Sequence, residues 1–179
     1  MASKNWVLDP AHSEIHFKIR HLVISTITGS FRVFNGTMTT PQHDDFANAA
    51  FDLKIDVYSI DTNNEQRDEH LKSADFFEAD TYPDILFKSS DFKHIEGDKH
   101  ELTGALTIKG ITKNITLEVL FGGEAKDGFG VNRAGFEITG VINRNDFNIH
   151  AADVTEAGGL VLGEEIKLYA NIQFTNEVE

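Results

Sequence analysis

The feature that most restricts this fold is a period-two alternation of apolar and polar residues, renewed in segment after segment along nearly the whole chain. From Glu14 to Arg20, Ile15, Phe17 and Ile19 alternate with Glu14, His16, Lys18 and Arg20. Phe51, Leu53, Ile55 and Val57 alternate with Asp52, Lys54 and Asp56. The same rhythm returns at Ile115–Phe121, Phe136–Ile142 and Ile166–Phe174, and more weakly at Ser30–Thr39, Ile85–Ile95 and Leu102–Ile108. Because successive side chains of a strand point to opposite faces, each segment predicts a strand with one wet and one buried face.

Turn chemistry separates these runs. Gly97-Asp98, Lys109-Gly110-Ile111-Thr112-Lys113 and the stretch from Gly122-Gly123 to Asp127-Gly128 predict tight reversals, hence about eight strands joined mainly as antiparallel neighbours. One stretch breaks the rhythm. Thr62-Asn63-Asn64-Glu65 reads as a capping box that opens a short polar helix over 65–72, with a second helical turn expected at 73–78. This insertion, from Ser59 to Pro83, is expected to cover one end. Eight one-faced strands form a sandwich or close as a barrel, and closure removes the exposed edges.

Composition narrows function. The 179 residues carry 29 Asp+Glu against 16 Lys+Arg, a net charge of −13, which argues against nucleic acid and anionic lipid surfaces as partners. With 40% hydrophobic residues the chain is ordinary globular material, expected to form a single domain over residues 1–179. The absence of Cys excludes disulfides and thiolate chemistry. No apolar run reaches the roughly 18 residues of a membrane helix, so no stable membrane insertion is expected. The first residues lack an apolar signal core, so a cytoplasmic location is expected, or a periplasmic one if the sequence is a trimmed piece. Fourteen Phe against 3 Pro and 2 Met point to a large aromatic interior.

An eight-stranded barrel is either filled by its own side chains or hollow enough for one small ligand. Gly104, Gly140 and Ala170 fall on inward faces, where they either open room or permit sharp strand coiling. A hollow interior would be aliphatic and aromatic, suited to a hydrocarbon chain and ill suited to a sugar or nucleotide.

Signals for chemistry are sparse. The eight His residues show no ligand spacing, and His16 and His21 fall on opposite faces, so no metal is expected. His21 continues the inward row and could meet a ligand's polar head or satisfy a backbone carbonyl. Arg67-Asp68-Glu69-His70 places acid, base and cation in one helical turn, but adjacent residues diverge, and Arg67 and Asp68 are expected to tie the insertion to the barrel. Neither Gly128-Phe129-Gly130 nor Gly158-Gly159 precedes a helix as a phosphate loop would.

Several signatures then stand in order: Trp6-Val7-Leu8-Asp9-Pro10-Ala11-His12-Ser13, Gly29-Ser30-Phe31, Ser59-Ile60-Asp61-Thr62 and Arg67-Asp68-Glu69-His70-Leu71-Lys72-Ser73. They continue with Asp75-Phe76-Phe77, Tyr82-Pro83, Leu102-Thr103-Gly104-Ala105-Leu106 and Arg144-Asn145-Asp146-Phe147. The set resembles the YceI-like family of bacterial polyisoprenoid-binding proteins from Trp6 to about Phe174. That resemblance implies an all-β, eight-stranded antiparallel lipocalin-like barrel with a helical insertion at about 62–80, holding an isoprenoid tail, an isoprenoid quinone or a similar amphiphile without catalysis. One departure is Asn148, where the family's Arg-x-Asp-Phe is usually followed by Gly; Asn tolerates left-handed backbone, so the bend is expected to survive.

The resulting expectation is a non-enzymatic carrier or store of an isoprenoid-type lipid, with no cofactor beyond that lipid. Its cavity would be lined by Phe17, Ile19, His21, Phe31, Leu53, Ile55, Leu106, Ile108, Leu117, Val119, Ile138 and Leu168. Gly104, Gly140 and Ala170 would provide room, and Phe76 and Phe77 would cover an entrance. An outward row such as Tyr169, Asn171 and Gln173 could pair with a second subunit as a homodimer, or be no more than a wet strand face. The alternatives are an enzyme using His21 with Arg67 or Asp68 on a hydrophobic substrate, and a solid barrel serving as an interaction or stress-response scaffold.

Overall fold

The computed structural model describes residues 3–21, 24–41, 46–150 and 162–176. Its strands are β1 (Lys4–Leu8), β2 (Glu14–His21), β3 (Ser25–Phe31), β4 (Phe34–Thr40), β5 (Ala50–Asp56) and β6 (Ile60–Asp61). The helix α1 (Glu65–Lys72) follows, then β7 (Asp84–Glu96), β8 (Lys99–Ile108), β9 (Ile111–Lys126), β10 (Asn132–Asn143) and β11 (Leu162–Asn176). The order β1-β4-β5-β7-β8-β9-β10-β11 returns to β1, so eight antiparallel strands close a barrel. Strands β2, β3 and β6 extend β1, β4 and β5 past a bend, and β11 pairs with β1 through Phe174 and Thr175 and with β2 through its earlier residues.

The bend has local causes. Between β1 and β2, Pro10 sits in a short 3-10 turn whose preceding Asp9 accepts the Ala11 N–H at 3.0 Å; between β5 and β6, Asp56 does the same for Tyr58 at 2.9 Å. Backbone bonds bridge the break, with Arg32 N donating to Ser59 O at 3.2 Å and Asp56 N to Val33 O at 3.0 Å. The alternation over 30–39 thus becomes two strands rather than one, and the five-residue β1 and two-residue β6 were too short for periodicity to reveal.

Reversals follow the sequence with one correction. Lys109 and Gly110 both take positive φ (+53° and +75°), the backbone that a two-residue hairpin of the favoured twist demands. Gly122-Gly123, expected in a turn, instead lies inside β9 beside a bulge opposite Gly135 and Phe136, and the reversal falls at 127–131. Gly128-Phe129-Gly130 forms that reversal, while Gly158-Gly159 lies outside the described residues.

The insertion also differs in detail. The helix cap is Asn64, whose side chain accepts the Arg67 N–H at 3.0 Å, and Thr62 is not the cap because Asn63 turns the chain through φ +63° first. Residues 73–78 form turns rather than more helix. Asp61 receives the Asn63 N–H and the Arg32 guanidinium; the amide first and the cation second hold its carboxyl below the usual carboxylate range.

The barrel axis divides into two halves. Toward the 127–131 turn it is solid with rings. Phe51 stands edge-on to Phe136 at 5.3 Å, Phe121 stacks on Phe136 at 5.1 Å, and the buried His100 stacks on Phe92 at 4.7 Å. Phe174 and the fully buried Trp6 complete this packing. Arg133 latches the same end, donating to Asp9 at 2.8 Å, to Asp127 at 2.9 Å and to Gln173 at 2.9 Å. These bonds hold both carboxyls below their usual range and push the guanidinium up, Asp9 contributing most to the latter.

Candidate functional site: an apolar cavity at the insertion end

The ring packing stops at Leu102 and Ile172, both fully buried, and beyond them the barrel is hollow. The cavity measures about 320 Å³. That lies at the lower end of the range for small-molecule sites, about 300–1,000 Å³. Strand parity supplies its wall. Ile15, Phe17 and Ile19 come from β2, Leu53 and Ile55 from β5, Ile85 and Phe87 from β7, Leu106 and Ile108 from β8, and Leu117, Ile138 and Leu168 from β9, β10 and β11.

Most of the residues expected on the cavity wall are there: Phe17, Ile19, His21, Phe31, Leu53, Ile55, Phe76, Phe77, Leu106, Ile108, Leu117, Ile138, Leu168 and Ala170 all line it. Three do not, and each has a physical reason. Val119 lies one rung deeper than Leu117, opposite His100 within the solid half, and is 1% exposed. A methyl on Gly104 would fall 2.6 Å from the Phe87 ring and 2.6 Å from the Lys88 carbonyl oxygen, so the neighbouring ring already occupies the space. A methyl on Gly140 would fall 2.3 Å from Leu117 Cδ2. These glycines let neighbours approach closely and coil the strands; they open no room in the cavity.

The insertion closes over the hollow half. Phe77 meets Phe31 edge-on at 6.3 Å, and Phe31 meets Phe17 at 5.5 Å, continuing the apolar wall onto the insertion. Asp68 is buried and accepts from both the Thr62 N–H at 2.9 Å and the Thr62 hydroxyl at 2.5 Å. Arg67 donates to the Thr62 hydroxyl at 2.8 Å and carbonyl at 2.6 Å. Both side chains anchor the helix to Thr62, just past β6 and within the insertion itself, so these bonds brace the insertion internally instead of tying it to the barrel as expected. Of the residues named for an enzymatic alternative, His21 and Arg67 both line the cavity, while Asp68 does not and is held by Thr62.

Sequence reasoning missed a second group at this end. Past β10, Arg144 is 2% exposed, donating to the Ile149 carbonyl at 2.6 Å and the Gly163 carbonyl at 2.8 Å; it lines the cavity with Phe147 and Ile149. The turn that brings them in ends on Asn148, which adopts the left-handed conformation (φ 58°, ψ 33°), so the bend survives without Gly. The signal was present as Arg144-Asn145-Asp146-Phe147, but alternation assigns no parity to a turn. His21, Thr62, Arg67, His70 and Arg144 stand at the insertion end; apart from His16 and Tyr169, paired across β2 and β11, the rest of the lining is aliphatic and aromatic. No helix among the described residues is long and apolar enough to cross a membrane.

Comparison with known proteins agrees with this architecture. A family model of the YceI-like domain matches residues 6–174. The UPF0312 protein SA2479 of Staphylococcus aureus (strain N315) is 37% identical over 172 residues, covering 96% of this chain and 97% of that protein. The solved structure of the YCEI protein of Campylobacter jejuni superposes with a TM-score of 0.74 at 35% identity, over 90% of this chain and 91% of that one. A polyisoprenoid binding domain from Saccharophagus degradans, implicated in plant cell wall breakdown, has the same fold, with a TM-score of 0.70 at 17% identity over 96% and 98% of the two chains.

Proposed function

The chain belongs to the YceI-like domain family, and from that premise we propose that it binds and carries or stores an amphiphile whose isoprenoid-type or acyl tail fills the barrel cavity. The observation that carries this reading is the contrast along one axis: a void of about 320 Å³ walled mainly by Ile, Leu and Phe, with Thr62, Arg67, His70 and Arg144 gathered at its insertion end and His16 and Tyr169 the other polar side chains on its lining besides His21. Desolvation of the tail would drive binding, at about 0.8 kcal/mol gross per buried methylene before ordering costs. Such binding depends weakly on salt, since apolar contact is not screened.

The polar groups at the insertion end support placing the head group there. Unpaired carbonyl or hydroxyl groups deep among Leu117, Ile138 and Leu168 would lose their hydrogen bonds, whereas His21 and His70 offer partners near the opening. The polyisoprenoid binding named for the Saccharophagus degradans domain is consistent with a prenyl tail in this chain. An isoprenoid quinone is one such ligand, and transport the corresponding role.

Native mass spectrometry of protein purified from its own host, followed by organic extraction, tests the reading. The expected result is an added mass that leaves with the solvent. Clean protein that also takes up no offered prenol refutes it.

A further inference from the structure

Nothing in the family resemblance says how long a tail this particular barrel admits, but its half-solid axis does. Leu102 and Ile172 floor the cavity, and the Phe51 and Phe136 rings pack the axis behind them. From Leu102 to Ile108 on β8 the wall rises through six residue-to-residue steps. At about 3.3 Å per residue this is about 20 Å along the strand. With strands tilted by about 35–45°, the depth along the axis is about 15 Å.

Resting on the carrier reading above, we propose that the aromatic packing is a chain-length stop. The site selects tails of about twelve main-chain carbons, roughly three isoprene units, and leaves the remainder of any longer chain outside. The conversion uses carbon–carbon bonds of about 1.5 Å, which advance an extended chain by about 1.25 Å per carbon. Affinity therefore rises steeply with each carbon that reaches the wall and stops rising once the tail meets Leu102 and Ile172. The glycines add no depth, because the space over Gly104 is already taken by a ring.

Titration calorimetry with straight-chain alkan-1-ols from six to eighteen carbons, and with geraniol, farnesol and geranylgeraniol, tests the stop. The expected series gains about fourfold in affinity per methylene up to about twelve carbons and is flat beyond. In Ala170→Leu the new side chain enters the void two residues short of Ile172, about 5 Å above the floor by the same strand geometry, so the plateau moves to about eight carbons. Affinity that keeps rising to eighteen carbons in the native chain overturns the stop and leaves the carrier reading standing. A plateau at twelve that Ala170→Leu does not shorten overturns the assigned depth. No binding of any member overturns both.

Discussion

Replacing Gly104 by Ala separates a glycine that makes room for a ligand from one that makes room for its neighbours. An ideal methyl at this position falls 2.6 Å from the Lys88 carbonyl oxygen and 2.6 Å from Phe87 Cζ. Ordinary carbon contacts need about 3.5 Å, so something must move by about 0.9 Å. The carbonyl belongs to β7 in the ladder beside Gly104, next to a register shift between Ser89 and Asp91, and cannot swing away as a side-chain tip can. Overpacking of this kind costs about 1–3 kcal/mol. Restricting the unfolded chain returns about 0.4–1 kcal/mol. The expected net loss is about 1–2 kcal/mol, a fall in Tm of about 2–8 °C for a chain of this size. Gly140→Ala is the internal control: its closest contact is the tip of Leu117, which can rotate toward the cavity, so the loss should be smaller. Urea unfolding followed through the single, fully buried Trp6 reads both variants. A Gly104→Ala midpoint equal to the native one, or a Gly140→Ala loss exceeding it, refutes the claim that neighbours fill the space above Gly104.

Arg133→Ala should flatten the acid limb of stability. Asp9 and Asp127 sit below their ordinary value of 3.8 when folded, so their stabilisation is complete above that value and is lost as pH falls through it toward the folded values. Native Tm should therefore drop from about pH 5 downward, and the drop should shrink in the variant; equal slopes in a thermal melt series refute the latch. Asp68→Ala leaves the buried Thr62 N–H without its carboxylate, at a cost of about 1–3 kcal/mol, whereas Asp68→Asn keeps an acceptor and loses less; limited proteolysis of the insertion reports the order. Asn148→Gly should be neutral or stabilising and Asn148→Val should cost about 1–2 kcal/mol, read by the same urea unfolding, because only the latter is penalised in left-handed backbone.

What the sequence made legible was parity. Alternation says which side chains face the axis, and it says so equally for Leu117 and Val119. It does not say at what height along the axis each one sits. Height depends on stagger between strands, and stagger puts Leu117 against the void and Val119 against His100. Glycine was ambiguous for a related reason. An inward position without a side chain reads the same whether a ligand or a cross-strand ring fills the gap, and only the register of Phe87 beside Leu106 and Gly104 decides it. Arg144 and Phe147 escaped because a turn carries no period, although Asn148 marked the bend that aims them inward.

The division of the axis explains how a barrel of this size can hold open an apolar void. At about 24 cal/mol per Å³, leaving 320 Å³ unfilled forgoes about 8 kcal/mol of packing, comparable with the whole stability of a typical domain. A barrel hollow along its full length would forgo more, with no compensating centre. Here Phe51, Phe92, Phe136 and Phe174 concentrate ring contacts and burial in one half, and the Arg133 latch holds closed the seam where β10, β11 and the end of β1 meet. The ring-packed half and the short cavity are then two sides of one constraint: the rings that keep the empty half folded are the same rings that limit its depth.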